Sequence, residues 1–324
     1  MRKDIAALGE VLIDMTQSGT DPFGNRIFTA YPGGAPANVA VAAARLGAKS
    51  SFIGKVGMDS FGKSLADTLK KENVDISGLF FCTDVPTTMA LVSVGESGER
   101  SFSFYRNPGS DTQLTEKEAL SALQDGPLPK ILHIGSLSLT TAPAREACIA
   151  AVRYAKENGV LISYDPNYRS ALWDSEDCAV EMMEMLLPYA DILKVSDEEM
   201  ALLTETENPE EGSRLLSQTG PSLVMITLGP KGVFLRCGDY TELVPGFSVT
   251  VADTNGAGDT FLGAMLAQIA NRSCRPENTD IELLKEMAIY ANKAAAQTCS
   301  RSGAIPAMPF ASELGDFPGK NYGR

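Results

Sequence analysis

Ile131-Leu132-His133-Ile134-Gly135, then the stretch Ala142 to Asn158, then Gly159 followed by Val160-Leu161-Ile162-Ser163-Tyr164, decide the fold class. Read in order, they are a short run apolar on both sides, an amphipathic helix stopped by glycine, and a second apolar run. Strands with no polar face are buried on both faces, the condition of a parallel sheet covered by helices. Ile192 to Val195 and Leu223 to Thr227 repeat the strand pattern, and Gly256 to Ala270 and Ile281 to Cys299 read as two late helices. The alternation predicts an α/β, doubly wound, mostly parallel sheet with helices on both faces. His133, the single histidine, sits inside the first apolar run. A packed strand residue suits that place better than the base of a Ser-His-Asp hydrolase.

Two segments interrupt the alternation. Asn25 to Tyr31 and Thr87 to Arg106 look extended and able to pair antiparallel, the second turning at Glu96-Ser97-Gly98-Glu99. We expect an inserted small sheet, a lid built from about 15–34 and 87–107, on one domain spanning 1–324. The tail Glu313 to Arg324 is polar and glycine-rich and is expected to be loose.

The chain has 324 residues, 44% hydrophobic and 21% charged, as in ordinary globular proteins, and a formal net charge of −13. That charge argues against nucleic acid or an anionic membrane surface as a partner. The start Met-Arg-Lys-Asp carries no secretory pattern, and no stretch of about 18 apolar residues occurs. The six cysteines form no CxxC pair, so neither a zinc site nor a disulfide framework is expected, and a cytoplasmic setting is.

The chemistry concentrates in Asp253-Thr254-Asn255-Gly256-Ala257-Gly258-Asp259, expected between a strand, Phe247 to Ala252, and a helix. Small residues at a helix start let several N–H groups face one anion. A carboxylate beside a phosphate needs a reason, and a general base for an attacking hydroxyl supplies one. On spacing alone, a glycine-rich helix start with Asp259 as an N-terminal charge fits as well. It is not a Walker A loop, because no Gly-Lys-Ser/Thr follows. Nor does a dinucleotide-binding oxidoreductase fit, since Met15 to Asp21 stands where its glycine motif belongs.

This run resembles the C-terminal signature of the ribokinase-like (PfkB) carbohydrate kinases, and Tyr31-Pro32-Gly33-Gly34-Ala35-Pro36-Ala37-Asn38-Val39-Ala40 resembles their N-terminal signature. The similarity runs from about Ile5 to Phe310. It implies that Asp259 is the catalytic base, that Gly256, Ala257 and Gly258 donate N–H groups to the transferred phosphoryl, and that Arg169 shares that work. It implies sugar contacts from Asp14, expected to end the first strand, and from Gly33, Gly34, Asn38, Arg106 and Asp259. Phe104 and Tyr105 are candidates to cover the sugar, and the Gly54 to Gly62 segment with Asp59 is read as a turn near it.

Asp165-Pro166-Asn167-Tyr168-Arg169 resembles a motif of fructokinases and keto-deoxygluconate kinases, with Asn167 and Arg169 reaching phosphate oxygens. Thr227, Gly229 and Gly232 match the family's nucleotide loop, Lys194 stands in its phosphate region and Asn292 lies where the adenine does. Glu199 would act on Mg²⁺ through water; Ser196 replaces the family's asparagine three residues before it. Asp253, Asn255, Arg301 and Gly303 match positions whose carbonyls surround a monovalent cation, K⁺. A catalytically dead sugar sensor would have lost the base, and Asp259 is intact. The resemblance thus implies ATP and Mg²⁺, transfer to a sugar hydroxymethyl group and, through the lid, a homodimer. Fructose is the first choice of sugar, then 2-keto-3-deoxygluconate, then ribose.

Overall fold

The computed structural model describes residues 3–94 and 100–315. The expected turn at Glu96-Ser97-Gly98-Glu99, and the tail beyond Gly315, lie outside the described residues. The strands are β1 (Ile5–Leu8), β2 (Leu12–Thr20), β3 (Arg26–Gly33), β4 (Ser50–Gly57), β5 (Asp75–Cys82), β6 (Met89–Val94), β7 (Arg100–Tyr105), β8 (Ile131–Gly135), β9 (Leu161–Asp165), β10 (Ile192–Ser196), β11 (Leu223–Thr227), β12 (Val233–Cys237) and β13 (Tyr240–Val244). The helices are α1 (Ala35–Arg45), α2 (Ser60–Lys71), α3 (Glu116–Gln124), α4 (Ala144–Glu157), α5 (Glu176–Glu184), α6 (Asp197–Thr204), α7 (Pro209–Ser217), α8 (Ala257–Arg272), α9 (Ile281–Cys299) and the short α10 (Ala311–Leu314).

The large sheet runs β13-β12-β11-β10-β9-β8-β1-β4-β5, parallel from β11 to β5, with β12 and β13 antiparallel at one edge. Alternation along the strands divides the core. Ile5 and Ile131 face α8 and α9, whereas Ala6 and Leu132 face α3 and α4. Strand order reverses between β1, whose next parallel neighbour in sequence is β4, and β8. Ligands of open α/β sheets bind beyond the strand ends at such a point. The second sheet, β3-β2-β6-β7, rises from there and holds the two interrupting segments. His133 is buried, with Nδ1 3.1 Å from Ser163 Oγ, and burial lowers its pKa to about 3.

Four expectations need correction. Asp14 does not end the first strand. β1 stops at Leu8, Gly9 N–H still donates to Ile53 of β4 (3.0 Å), and Ile13 N–H donates to Thr88 beside β6 (3.1 Å). The chain changes sheets between them, which puts Asp14 on β2. Phe247 to Ala252 forms no strand and joins no sheet, because β13 is already the edge and the segment leaves it; Ala252 N–H donates to Cys299 at the end of α9 (2.8 Å). Helix α4 begins at Ala144, two residues after the expected start, with Pro143 at its N-cap. Glu313, expected to open a loose tail, lies in α10 and pairs with Arg301 at 2.5 Å.

Candidate active site

Asp259 occupies the first turn of α8 and is 7% exposed. Its Oδ2 accepts from Asn38 Nδ2 at 2.8 Å and its Oδ1 from Asn167 Nδ2 at 3.2 Å. Three distant pieces of sequence thus meet at one carboxylate: the start of α1, the turn after β9 and the start of α8. Burial raises the Asp259 pKa; the Asn38 hydrogen bond, Lys194 and Arg169 oppose that shift, and Glu199 adds to it. The two amides fix the carboxylate plane and favour its ionised form.

Gly256 has φ +75, and a Cβ there would lie 3.0 Å from the Ala304 Cβ, so glycine alone fits the bend into the helix. The N–H groups of Gly256, Gly258 and Asp259 have no backbone acceptor among the described residues, while that of Ala257 donates to Thr254 O at 3.3 Å. The expected donor set is therefore free at Gly256 and Gly258, and engaged in a turn at Ala257.

The glycine pair before α1 is also explained by close approach. A Cβ at Gly33 would strike the Asp14 carboxylate, and one at Gly34, whose φ is +104, would come within 2.5 Å of Glu10 O. Asp14 is pushed up to about 6 by burial first; Arg169 opposes this, and Asp259 and Asp253 add to it.

On the other side of Asp259, Asp165 Oδ1 accepts from Asn167 N–H at 3.2 Å, and its Oδ2 lies 2.9 Å from the buried Lys194 Nζ. Burial alone would lower the Lys194 pKa, but Asp165, Glu199 and Asp259 outweigh it and keep the ammonium charged. Glu199 accepts from Tyr168 N–H at 2.7 Å and Ser196 N–H at 2.8 Å, and Ser196 Oγ accepts from Glu199 N–H at 3.0 Å. The serine that replaces asparagine thus caps α6 in a reciprocal box.

Three cavities meet at the start of α8. The first, about 300 Å³, lies under the small sheet between Asp14, Asn38, Phe104 and Asp259. The second, about 600 Å³, is lined by Lys194, Glu199, Asn255, Gly258 and Asp259. Asn167, Arg169, Asn255, Gly256 and Asp259 border both. The third, about 360 Å³, opens from Thr254 and Gly258 toward Thr227, Gly229, Gly232 and Asn292, with a wall of Val249, Val251, Ala295 and Ala296. Asn292 Nδ2 donates to Val244 O (3.1 Å) and Pro245 O (3.0 Å), holding the chain after β13 against α9.

Other expected residues fall differently. Arg106 does not line the first cavity. Its guanidinium donates to Asp111 Oδ2 (2.7 Å), Thr140 Oγ1 (2.7 Å) and Leu137 O (2.9 Å), so its partners lie at the root of the small sheet. Tyr105 is 60% exposed, away from the cavity that Phe104 lines. Asp59 caps α2 through Gly62 N–H (2.8 Å) and accepts from Thr87 N–H (2.8 Å), outside the cleft. Asp253 binds Asn255 N–H at 3.0 Å and Gly303 N–H at 3.1 Å, drawing the two loops of the expected cation site together, while the Arg301 side chain turns away to Glu313. The sequence reading missed Glu10, Leu12 and Ala90, which also line the first cavity. Glu10 followed a strand and carried no motif of its own. Its buried carboxyl is pushed up to about 7 by burial first, with Asp111 adding to the shift; its own backbone N–H, Arg106 and the Ala35 N–H oppose it.

A doubly wound sheet, a small sheet over one end and a carboxylate between two joined cavities define a kinase that moves a phosphoryl group onto a small polar acceptor. The chain belongs to the pfkB family of carbohydrate kinases, which it matches over residues 2–311. It is 44% identical over 309 residues to the probable chloroplastic fructokinase-6 of Arabidopsis thaliana, covering 94% of this chain and 79% of that one. It is similar to the crystal structure of a fructokinase with bound ATP from Xylella fastidiosa, at TM-score 0.88 and 33% identity over 97% of each chain. A fructokinase double mutant from Vibrio cholerae O395, in a form with fructose, ADP and potassium bound, gives TM-score 0.86 and 32% identity over 96% of this chain and 97% of that one.

Proposed function

We propose that the protein transfers the terminal phosphoryl group of ATP to the hydroxymethyl group of fructose, giving fructose 6-phosphate and ADP. The observation that carries this is the meeting of the three cavities at Gly256-Ala257-Gly258-Asp259. Sugar under the small sheet and nucleotide along the other two would bring the attacking oxygen and the transferred phosphorus together there. Asp259 takes the proton of the attacking hydroxyl as the new oxygen–phosphorus bond forms and the bond to the ADP oxygen breaks. The N–H groups of Gly256 and Gly258 face the developing charge at the helix start. Arg169 and Lys194, the cations of the two shared cavities, add to that stabilisation.

Among the described residues no cluster of three metal-ligating side chains occurs, which suits a magnesium ion that arrives with the nucleotide and keeps most of its waters. Glu199 is the carboxylate placed to meet it through water, and the ion would neutralise phosphate charge. The loop pair joined by Asp253 fits a potassium ion bound by backbone carbonyls.

The sugar choice follows from charge. The first cavity presents Glu10, Asp14 and Asp259 and a single cation, Arg169. That lining suits a neutral polyol better than a sugar acid. We read 1–324 as one kinase domain with a lid. The lid's exposed Ile27 and Tyr105 suit a homodimer through it, which light scattering at micromolar concentration would test. No helix among the described residues is long and apolar enough to cross a membrane. A reducing cytoplasm would suit the six free cysteines. The direct test is a coupled ADP-release assay with fructose, 2-keto-3-deoxygluconate and ribose in one buffer. Fructose should give the highest kcat/KM; a roughly tenfold preference for either competitor, about 1.4 kcal/mol, would contradict the assignment.

A further inference from the structure

Two acceptor atoms beside the proposed sugar cleft are buried without a donor. Glu10 Oε2 and Asn38 Oδ1 are shut from solvent and accept no hydrogen bond among the described residues. Both residues line the first cavity. Buried polar atoms are nearly always paired, so two orphans lining one cavity point to a ligand that brings its own donors. A polyhydroxylated sugar does so. Asn38 is already held by Asp259 through its other amide atom. Glu10 has no part in the phosphoryl chemistry, yet it is only 3% exposed and its other oxygen is fixed on the Ala35 N–H at 3.0 Å.

We propose that Glu10 is a specificity-determining residue, whose Oε2 accepts a hydrogen bond from one hydroxyl of the acceptor sugar. This rests on the first cavity being the sugar site. Glu10 lies at the reversal of strand order, two residues beyond the end of β1. Its Oε1 bond ties it to the turn that opens α1, so the carboxyl is held in place before sugar arrives. A site built this way rejects an analogue that lacks the matching hydroxyl more strongly than an apolar pocket rejects a misfit, because the orphan acceptor stays unpaired.

The test is Glu10→Gln, which keeps the shape and an oxygen for the Ala35 N–H but removes the second acceptor and the charge. KM and the dissociation constant are measured for fructose, for the set of monodeoxy fructoses and for ATP. The fructose KM should rise roughly tenfold or more while that of ATP stays put. For one monodeoxy fructose, the penalty seen with the wild type should largely disappear in the variant. A fructose KM within about twofold of wild type, or an equal loss for every monodeoxy sugar, would overturn the proposal. Should Glu10→Gln fail to fold, a crystal structure of the wild type with fructose and a non-hydrolysable ATP analogue decides. A sugar oxygen within hydrogen-bonding distance of Glu10 Oε2 is expected, and only water there refutes it. Wild-type turnover keeps the two readings apart. No activity on any sugar sinks the kinase assignment, whereas normal fructose turnover with an indifferent Glu10→Gln sinks only this role.

Discussion

Arg106→Ala should unfold the protein more easily rather than simply loosen its grip on sugar. The side chains of Arg106 and Asp111 are 6% and 2% exposed and form an ion pair at 2.7 Å. Asp111 also accepts from the hydroxyl of Thr88, just before β6, while Arg106 follows β7 and reaches Thr140 and Leu137 of the main domain. The pair therefore joins two of the chain crossings between the sheets. Removing the guanidinium leaves the Asp111 carboxylate buried with no cation, a change that costs about 3–5 kcal/mol. Asp111→Asn should offset part of that loss, so the double variant would be more stable than the sum of the single losses. Urea unfolding followed by fluorescence of Trp173, the one tryptophan, reads the effect. A loss below about 1 kcal/mol, joined to a large rise in the fructose KM, would refute this and return Arg106 to the sugar.

Two further perturbations probe the cleft. Asp14 is raised from 3.8 to about 6, so the folded protein keeps that proton to a higher pH than the unfolded chain does. The protonated form's contribution is full below about pH 4 and is lost as pH rises through about 6, leaving a cost of about 3 kcal/mol at neutral pH. Asp14→Asn should therefore stabilise the free protein at pH 8, leave it unchanged near pH 4 and raise the fructose KM; equal urea midpoints at pH 8 would count against it. Gly34→Ala places a Cβ 2.5 Å from Glu10 O at φ +104, a strain of about 1–3 kcal/mol. It should raise the KM for fructose and leave that for ATP, and an unchanged fructose KM would show that the turn does not shape the cleft.

What the sequence revealed depended on how local the cause was. Ile131 to Tyr164 was legible because an apolar run, a helical period and a glycine stop each act over a few residues. The glycine pair and the start of α8 were legible because glycine is demanded there by close packing against Asp14, Glu10 and Ala304 and, at Gly34 and Gly256, by a positive φ. Phe247 to Ala252 was misread for a physical reason. Phe247, Val249 and Val251 alternate as a strand does, but the alternation lines the third cavity instead of a sheet. Asp14 was put on the wrong strand because nothing in Gly9 to Asp14 marks the change of pairing partner from β4 to β6. Arg106 was aimed at the sugar because Thr140 and Leu137, which hold it, lie 34 and 31 residues away. Glu10 stayed silent because a lone carboxylate after a strand acquires meaning only once its neighbours are in place.

Asp259 is the proposed base of this ATP-dependent sugar kinase, and Asp259→Asn removes that function alone. The amide keeps the size of the side chain and an oxygen that can still accept from Asn38, but it cannot take a proton. Turnover of fructose, followed as ADP release, should fall by roughly 10²–10⁴ while ATP and fructose still bind. A kcat within a few-fold of wild type, with both substrates bound normally, would show that Asp259 is not the base.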